Sequence, residues 1–136
     1  MYKSILIFIA AIIFSSCSNA QTNASPTRVS ATAFAEQLKK DTDAQLLDVR
    51  TPSEFKNGHI QKAINVNIND KHFEDKVSAL DKTKPVYVYC LSGGRSNTAA
   101  KQLRAAGFKN VVELPGGMKE LTVNYFKTDD GYMLGY

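Results

Sequence analysis

A thiol, a run of small residues and an arginine stand together at Cys90-Leu91-Ser92-Gly93-Gly94-Arg95-Ser96. The cysteine directly follows an apolar run of β type, Pro85-Val86-Tyr87-Val88-Tyr89. The small residues after it let backbone N–H groups turn inward, and Arg95 adds a fixed cation. A chain built this way can cradle a sulfur nucleophile beside an anion. The nucleophile is the thiolate, not the thiol. Three features favour it: the positive end of a helix starting near Ser96, the charge of Arg95, and a nest of inward N–H groups from Leu91 to Arg95. Gly93 and Gly94 are expected at backbone angles that other residues resist. Cys90 is therefore expected to be a thiolate at neutral pH, in a cradle that can hold a second, larger anion against the sulfur.

The surrounding sequence supplies elements to position this loop. Val29-Ser30 reads as a short edge strand, and Ala31 to Lys40 as an amphipathic helix with Phe34 and Leu38 four apart. Ala44 to Val49 reads as a buried strand ending in the charged residues Asp48 and Arg50. Thr51-Pro52-Ser53-Glu54 is a helix start, with Thr51 as cap, Pro52 first and Glu54 closing a capping box. Phe55 should pack inward, and Asn57-Gly58 should end that helix. Ala63 to Val66 is a third short strand, Phe73 to Leu80 a helix, Pro85 to Tyr89 the central strand. Asn97 to Ala106 is a helix stopped by Gly107, Val111 to Leu114 the last strand, and Met118 to Phe126 a final helix. Strands alternating with helices predict an α/β fold, a mostly parallel central sheet with helices on both faces. Ligands on such sheets sit beyond the carboxyl ends of strands, and Cys90 lies at one such end.

The chain has 136 residues, 43% hydrophobic and 22% charged, enough for one domain with a core and too few for two. The net charge of +4 comes from scattered lysines and arginines, a solvated surface rather than a nucleic-acid footprint. His59 and His72 stand alone, so no zinc spacing exists and no metal is expected.

The first residues read as a targeting segment. One lysine, Lys3, precedes an unbroken apolar run from Ile5 to Phe14. That run is too short for a membrane-spanning helix, which needs about 20 residues, and fits a secretory signal. Phe14-Ser15-Ser16-Cys17 resembles a lipobox, with lipidation at Cys17 after removal of residues 1–16, a polar tether over 17–27, and the domain over 28–136. A rival cut lies after Ser18-Asn19-Ala20 and would leave a soluble periplasmic protein. With Cys17 acylated or removed, Cys90 is the single free thiol of an exported protein, which needs work to do in an oxidising compartment.

Three segments in order carry a resemblance. They are Leu46-Leu47-Asp48-Val49-Arg50-Thr51-Pro52-Ser53-Glu54-Phe55 with Gly58-His59-Ile60-Gln61-Lys62-Ala63-Ile64-Asn65-Val66, the loop Cys90 to Ser96, and Leu114-Pro115-Gly116-Gly117. Together they resemble the rhodanese (sulfurtransferase) family over roughly Val29 to Leu121. Met118 departs from it, because many members carry an aromatic residue there. The resemblance implies a rhodanese-like fold and a persulfide relay. In that relay Cys90 attacks the outer sulfur of a donor such as thiosulfate, and a nucleophilic acceptor such as cyanide or a thiol takes the sulfur on. The catalysis is covalent and needs no cofactor. The loop from Leu91 through Ser92, Gly93, Gly94 and Arg95 to Ser96 would bind the substrate and hold the anionic sulfur. Asp48, Arg50, Glu54 and His59 would scaffold the site, Arg50 paired with Glu54 and His59 as a structural hydrogen-bonder. A monomer is expected, held to the periplasmic side of a bacterial membrane through Cys17.

Two other readings stay open. Phosphatases and arsenate reductases of similar fold carry five residues between cysteine and arginine, a ring wide enough for a phosphate. Here Leu91, Ser92, Gly93 and Gly94 make four. A non-catalytic binding module on the same fold would typically lose the cysteine, and Cys90 and Arg95 are both present.

Overall fold

The computed structural model describes residues 27–125 and 134–135. The signal segment, Cys17 and the tether up to residue 26 lie outside the described residues, as do Phe126 and the rest of 126–133.

Five strands form one parallel sheet: β1 (Thr27–Arg28), β2 (Gln45–Asp48), β4 (Ile64–Asn65), β5 (Val86–Tyr89) and β6 (Val111–Glu113). Their spatial order is β1-β6-β5-β2-β4, which puts β5 in the middle. Neighbours pair in parallel, with Leu47 opposite Val88 on one side and Val88 opposite Glu113 on the other. The expected edge strand begins two residues earlier than Val29, so Thr27, assigned above to the tether, belongs to β1.

Strand alternation divides the core in two. Val86, Val88 and Cys90 point to one face with Leu47 and Val111. There they pack with Phe73 and Val77 of α3 (Phe73–Ser78) and Ala99, Ala100 and Leu103 of α4 (Gly94–Ala105). Tyr87 and Tyr89 point to the other face with Leu46. They meet Phe34 of α1 (Ala31–Lys40) and Met118 and Leu121 of α5 (Gly117–Tyr125). Phe34 meets Tyr87 edge to face, with ring centroids 5.3 Å apart. Each fully buried side chain of this size contributes about 1.5–3 kcal/mol, so both helical layers are anchored to β5 itself.

Local signals start the helices. Ser30 caps α1 by accepting from the Ala33 N–H. At α2 (Pro52–Lys56) the capping box is complete: the Thr51 hydroxyl accepts from the Glu54 N–H, and the Glu54 carboxylate accepts from the Thr51 N–H. Two features differ from expectation. Phe55 does not enter the core; it is half-buried and stacks on His59 with centroids 3.6 Å apart. His59–Ile60 forms a strand, β3, which pairs antiparallel with β7 (Leu134–Gly135), so β6 is not the last strand.

Candidate active site

The chain leaves β5 at Tyr89, and the next residue is the cysteine. Cys90 is buried, 1% exposed, with its side chain on the α4 face of the sheet. Leu91, Ser92 and Gly93 then curl back, and α4 begins at Gly94. The Gly93 N–H donates to Cys90 Sγ at 3.1 Å. Ser96, fully buried in the first turn of α4, puts its Oγ 3.6 Å from the sulfur, within the reach of a hydrogen bond to sulfur. Burial pushes the thiol up, but hydrogen bonds from the backbone and hydroxyl of Ser96 and from the amides of Ser92 and Gly93 outweigh it. The net effect holds Cys90 below the ordinary thiol range. The helix starts at Gly94 rather than Asn97, which brings its N-terminal amides directly against the sulfur.

The two glycines of the loop differ. Gly93 has φ +97°, and a Cβ there would overlap the backbone carbonyl of Pro115. Gly94 has no positive φ and open space around it, so only Gly93 is required by geometry. The Pro115-Gly116-Gly117 turn supports the loop from behind. Gly117 has φ +58°, and a Cβ on it would lie 2.5 Å from the Cys90 carbonyl oxygen. The Met118 N–H donates to that oxygen at 2.9 Å, and the Lys119 N–H donates to the Leu91 oxygen at 3.0 Å. The late turn and the loop are thus packed backbone on backbone.

Arg95 does not reach for the sulfur. Its two terminal nitrogens each lie 2.7 Å from one oxygen of Glu54, a bidentate pair between α4 and α2. This overturns the expected Arg50–Glu54 pair. Glu54 is turned toward α4 because its carboxylate also caps Thr51. Arg50 folds back two residues along the extended chain to Asp48, with Nη2 to Oδ2 at 2.6 Å, and donates to the Gly58 carbonyl at 2.7 Å. Asp48 and Arg50 are both buried, and the pair ties the end of β2 to the turn before β3. Asn65 adds to this tie by donating to the carbonyls of Asp48 and Arg50. His59 meets the Phe55 carbonyl through Nδ1 at 2.9 Å.

The bidentate bond from Arg95 holds the Glu54 carboxyl down from 4.5 to about 2. A depressed acid stabilises the fold above its unfolded pKa and loses that contribution as pH falls through the folded one. Wild-type stability should therefore drop between pH 4.5 and about 2, and part of that drop should vanish in Glu54→Gln. Urea midpoints across this range measure it; parallel curves for the two proteins would remove the pair from the account.

Glu113 escaped the sequence reading. It ends β6 fully buried, its Oε1 3.3 Å from Ser96 Oγ, while Oε2 accepts from Asn97 Nδ2 at 3.3 Å and faces Arg28 Nε at 3.5 Å. The available signal was an acid inside the apolar run Val111-Val112-Glu113-Leu114, since such residues are almost never fully buried unless paired.

With this geometry in view, similarity to known proteins is informative. The family model of the Rhodanese-like domain matches residues 30–123, which includes every element from α1 to the loop and its supporting turn. The chain is 40% identical over 77 residues to the uncharacterized protein YqhL of Bacillus subtilis, covering 57% of this chain and 60% of that one. It therefore spans less than two thirds of that relative's length. It is 37% identical over 81 residues to the thiosulfate sulfurtransferase GlpE of Shewanella oneidensis, covering 60% of this chain and 78% of that one. The crystal structure of a rhodanese-related protein from Thermoplasma volcanium superposes with a TM-score of 0.65 at 28% identity, over 80% of this chain and 97% of that one. A parallel α/β sheet carrying a cysteine loop at the end of its central strand, matched across the domain, means that the chain belongs to the Rhodanese-like domain family.

Proposed function

We propose that this protein is an exported single-domain sulfurtransferase working through a Cys90 persulfide. The Cys90 thiolate attacks the outer sulfur of an anionic donor such as thiosulfate. A bond forms between Sγ and that sulfur, the bond to the sulfonate sulfur breaks, and sulfite leaves with the electron pair. The new terminal sulfur carries the negative charge into the ring of loop amides. An acceptor, cyanide or a thiolate, attacks that terminal sulfur, and Cys90 leaves again as thiolate. Proton donors are needed only to stabilise charge, and the amides of Ser92, Gly93 and Ser96 are preorganised for it. Arg95, held by Glu54 in a bidentate pair, fixes the start of α4 against α2 beside the loop. Leu91, half-buried, and Ser92, exposed, form the rim that a donor or acceptor meets first.

The observation that carries this reading is the Gly93 N–H held on a buried, acidified thiol at 3.1 Å. We propose further that Cys17 is lipidated after removal of residues 1–16, tethering the domain to the outer side of a membrane. The apolar run from Ile5 to Phe14 and the small residues before Cys17 support this. Intact mass of the full-length chain expressed in a bacterium, purified in detergent, tests both. Thiosulfate should add one sulfur to Cys90, and cyanide should remove it; acyl chains on an N-terminal Cys17 appear in the same spectrum. No gain from thiosulfate or polysulfide, with the thiol still quickly alkylated, would defeat the sulfur-transfer reading.

A further inference from the structure

Ser96 has one hydroxyl proton and three claimants to it. The Gly93 carbonyl lies at 3.0 Å, Glu113 Oε1 at 3.3 Å and Cys90 Sγ at 3.6 Å. All four residues are buried. Glu113 is the unexplained member. A carboxylate fully out of water is costly unless paired, and among the described residues the one full cation paired with it is Arg28, whose side chain is 54% exposed. A glutamine at 113 would keep the shape without the charge: its single oxygen can accept from Asn97, and its NH2 can donate to Ser96 Oγ, leaving the hydroxyl proton to the sulfur.

We infer that Glu113 is a positioning residue that sets the ionisation of Cys90 by competing with the sulfur for the hydroxyl proton of Ser96. The inference rests on the reading of Cys90 as the working thiolate. While the carboxylate and the nearer Gly93 carbonyl draw the hydroxyl between them, the sulfur faces an oxygen lone pair, the arrangement in which S–H donates to Ser96 Oγ. On ionisation the S–H bond breaks, its proton goes to solvent, and the hydroxyl turns to the sulfur with its own O–H bond intact. The carboxylate then keeps Asn97 and Arg28. Glu113 therefore opposes the thiolate twice, by repulsion and by competition, and Arg28 relieves that opposition.

This has a use. Nucleophilicity falls with pKa and is best near ambient pH, so a counterweight to the loop amides that lower the Cys90 thiol keeps its thiolate reactive. Glu113 counters them. In the persulfide the inner sulfur is uncharged, so the competition ends and sulfur loading is favoured. The other charged groups around the loop are Arg95 of α4 with Glu54 of α2, the Asp48–Arg50 pair after β2, and Lys119 and Glu120 in the first turn of α5. None of them touches Ser96 Oγ in the hydrogen bonds of the described residues.

The test is the pH profile of iodoacetamide alkylation at Cys90, read on the Cys90 peptide of the full chain so that Cys17 does not interfere. Glu113→Gln should raise the rate at the acid end of the profile by about tenfold. Arg28→Gln, a half-exposed residue whose loss leaves the core untouched, should lower it by roughly threefold, less because solvent screens that charge. In a Ser96→Ala background the effect of Glu113→Gln should shrink to its repulsive part. Shifts in the same direction for both single variants would overturn the inference. So would an unshifted Arg28→Gln, or a Glu113→Gln effect undiminished without Ser96. Opposite shifts in a wild type that takes up no sulfur would refute sulfur transfer and keep the proton competition; uptake with flat profiles would do the reverse.

Discussion

Cys90→Ser should leave a folded protein that takes up no sulfur from thiosulfate, with transfer to cyanide reduced by roughly 10⁴-fold or more, the scale seen when a covalent nucleophile is removed. The reason is chemical rather than steric. A serine hydroxyl stays neutral at pH 7, and the loop amides that pull a thiol toward ionisation cannot bring an alcohol near it. Oxygen also cannot hold the terminal sulfur as a persulfide. The fold should tolerate the change, because the smaller hydroxyl keeps the Gly93 N–H and Ser96 as hydrogen-bond partners, a balance worth about 1 kcal/mol or less. Thermal unfolding and single-turnover thiocyanate formation measure the two effects separately. Retained biological activity in a strain carrying only Cys90→Ser would favour a docking role for the domain over catalysis.

The parts legible in the sequence were those written in short-range spacing. Thr51, Pro52 and Glu54 announce α2 because a capping box needs only four consecutive residues. The run Val86 to Tyr89 announces a strand buried on both faces, and it stands at the centre of the sheet with Cys90 at its end. The long-range partners were not legible. Glu54 satisfies Thr51 three residues away and Arg95 forty-one residues away, and only the first is a matter of local spacing. Strand β3 is two residues long and owes its existence to a partner at Leu134–Gly135, so no alternation could mark it. Glycine is a poor helix former, so nothing in the local sequence marks Gly94 as a helix start. The tight return of the loop overrode that preference and made Gly94 the first helical residue.

The same tight return concentrates the largest stability effect in one residue of the loop. Gly93→Ala should destabilise the domain by about 2–5 kcal/mol, while Gly94→Ala next to it should be neutral or slightly stabilising. At Gly93 the positive φ costs an alanine about 1–2 kcal/mol. The overlap with the Pro115 carbonyl adds about 1–3 kcal/mol, because backbone, unlike a side chain, cannot swing aside. At Gly94 no atom lies within 4 Å of the added methyl, and alanine gains roughly 1 kcal/mol of helix propensity over glycine in a helix interior, less in a first turn. For a domain of this size the Gly93 change corresponds to a melting temperature lower by roughly 8–40 °C. The chemistry should fail with it. Relieving the overlap moves either the Pro115 turn or the Gly93 N–H, and the second is the amide that holds Sγ at 3.1 Å. Cys90 in Gly93→Ala should then alkylate only toward the ordinary thiol range, whereas Gly94→Ala keeps the wild-type profile. Equal melting temperatures for the two variants would mean that the loop and the late turn do not pack as backbone on backbone, and the cradle would have to be rebuilt from side chains alone.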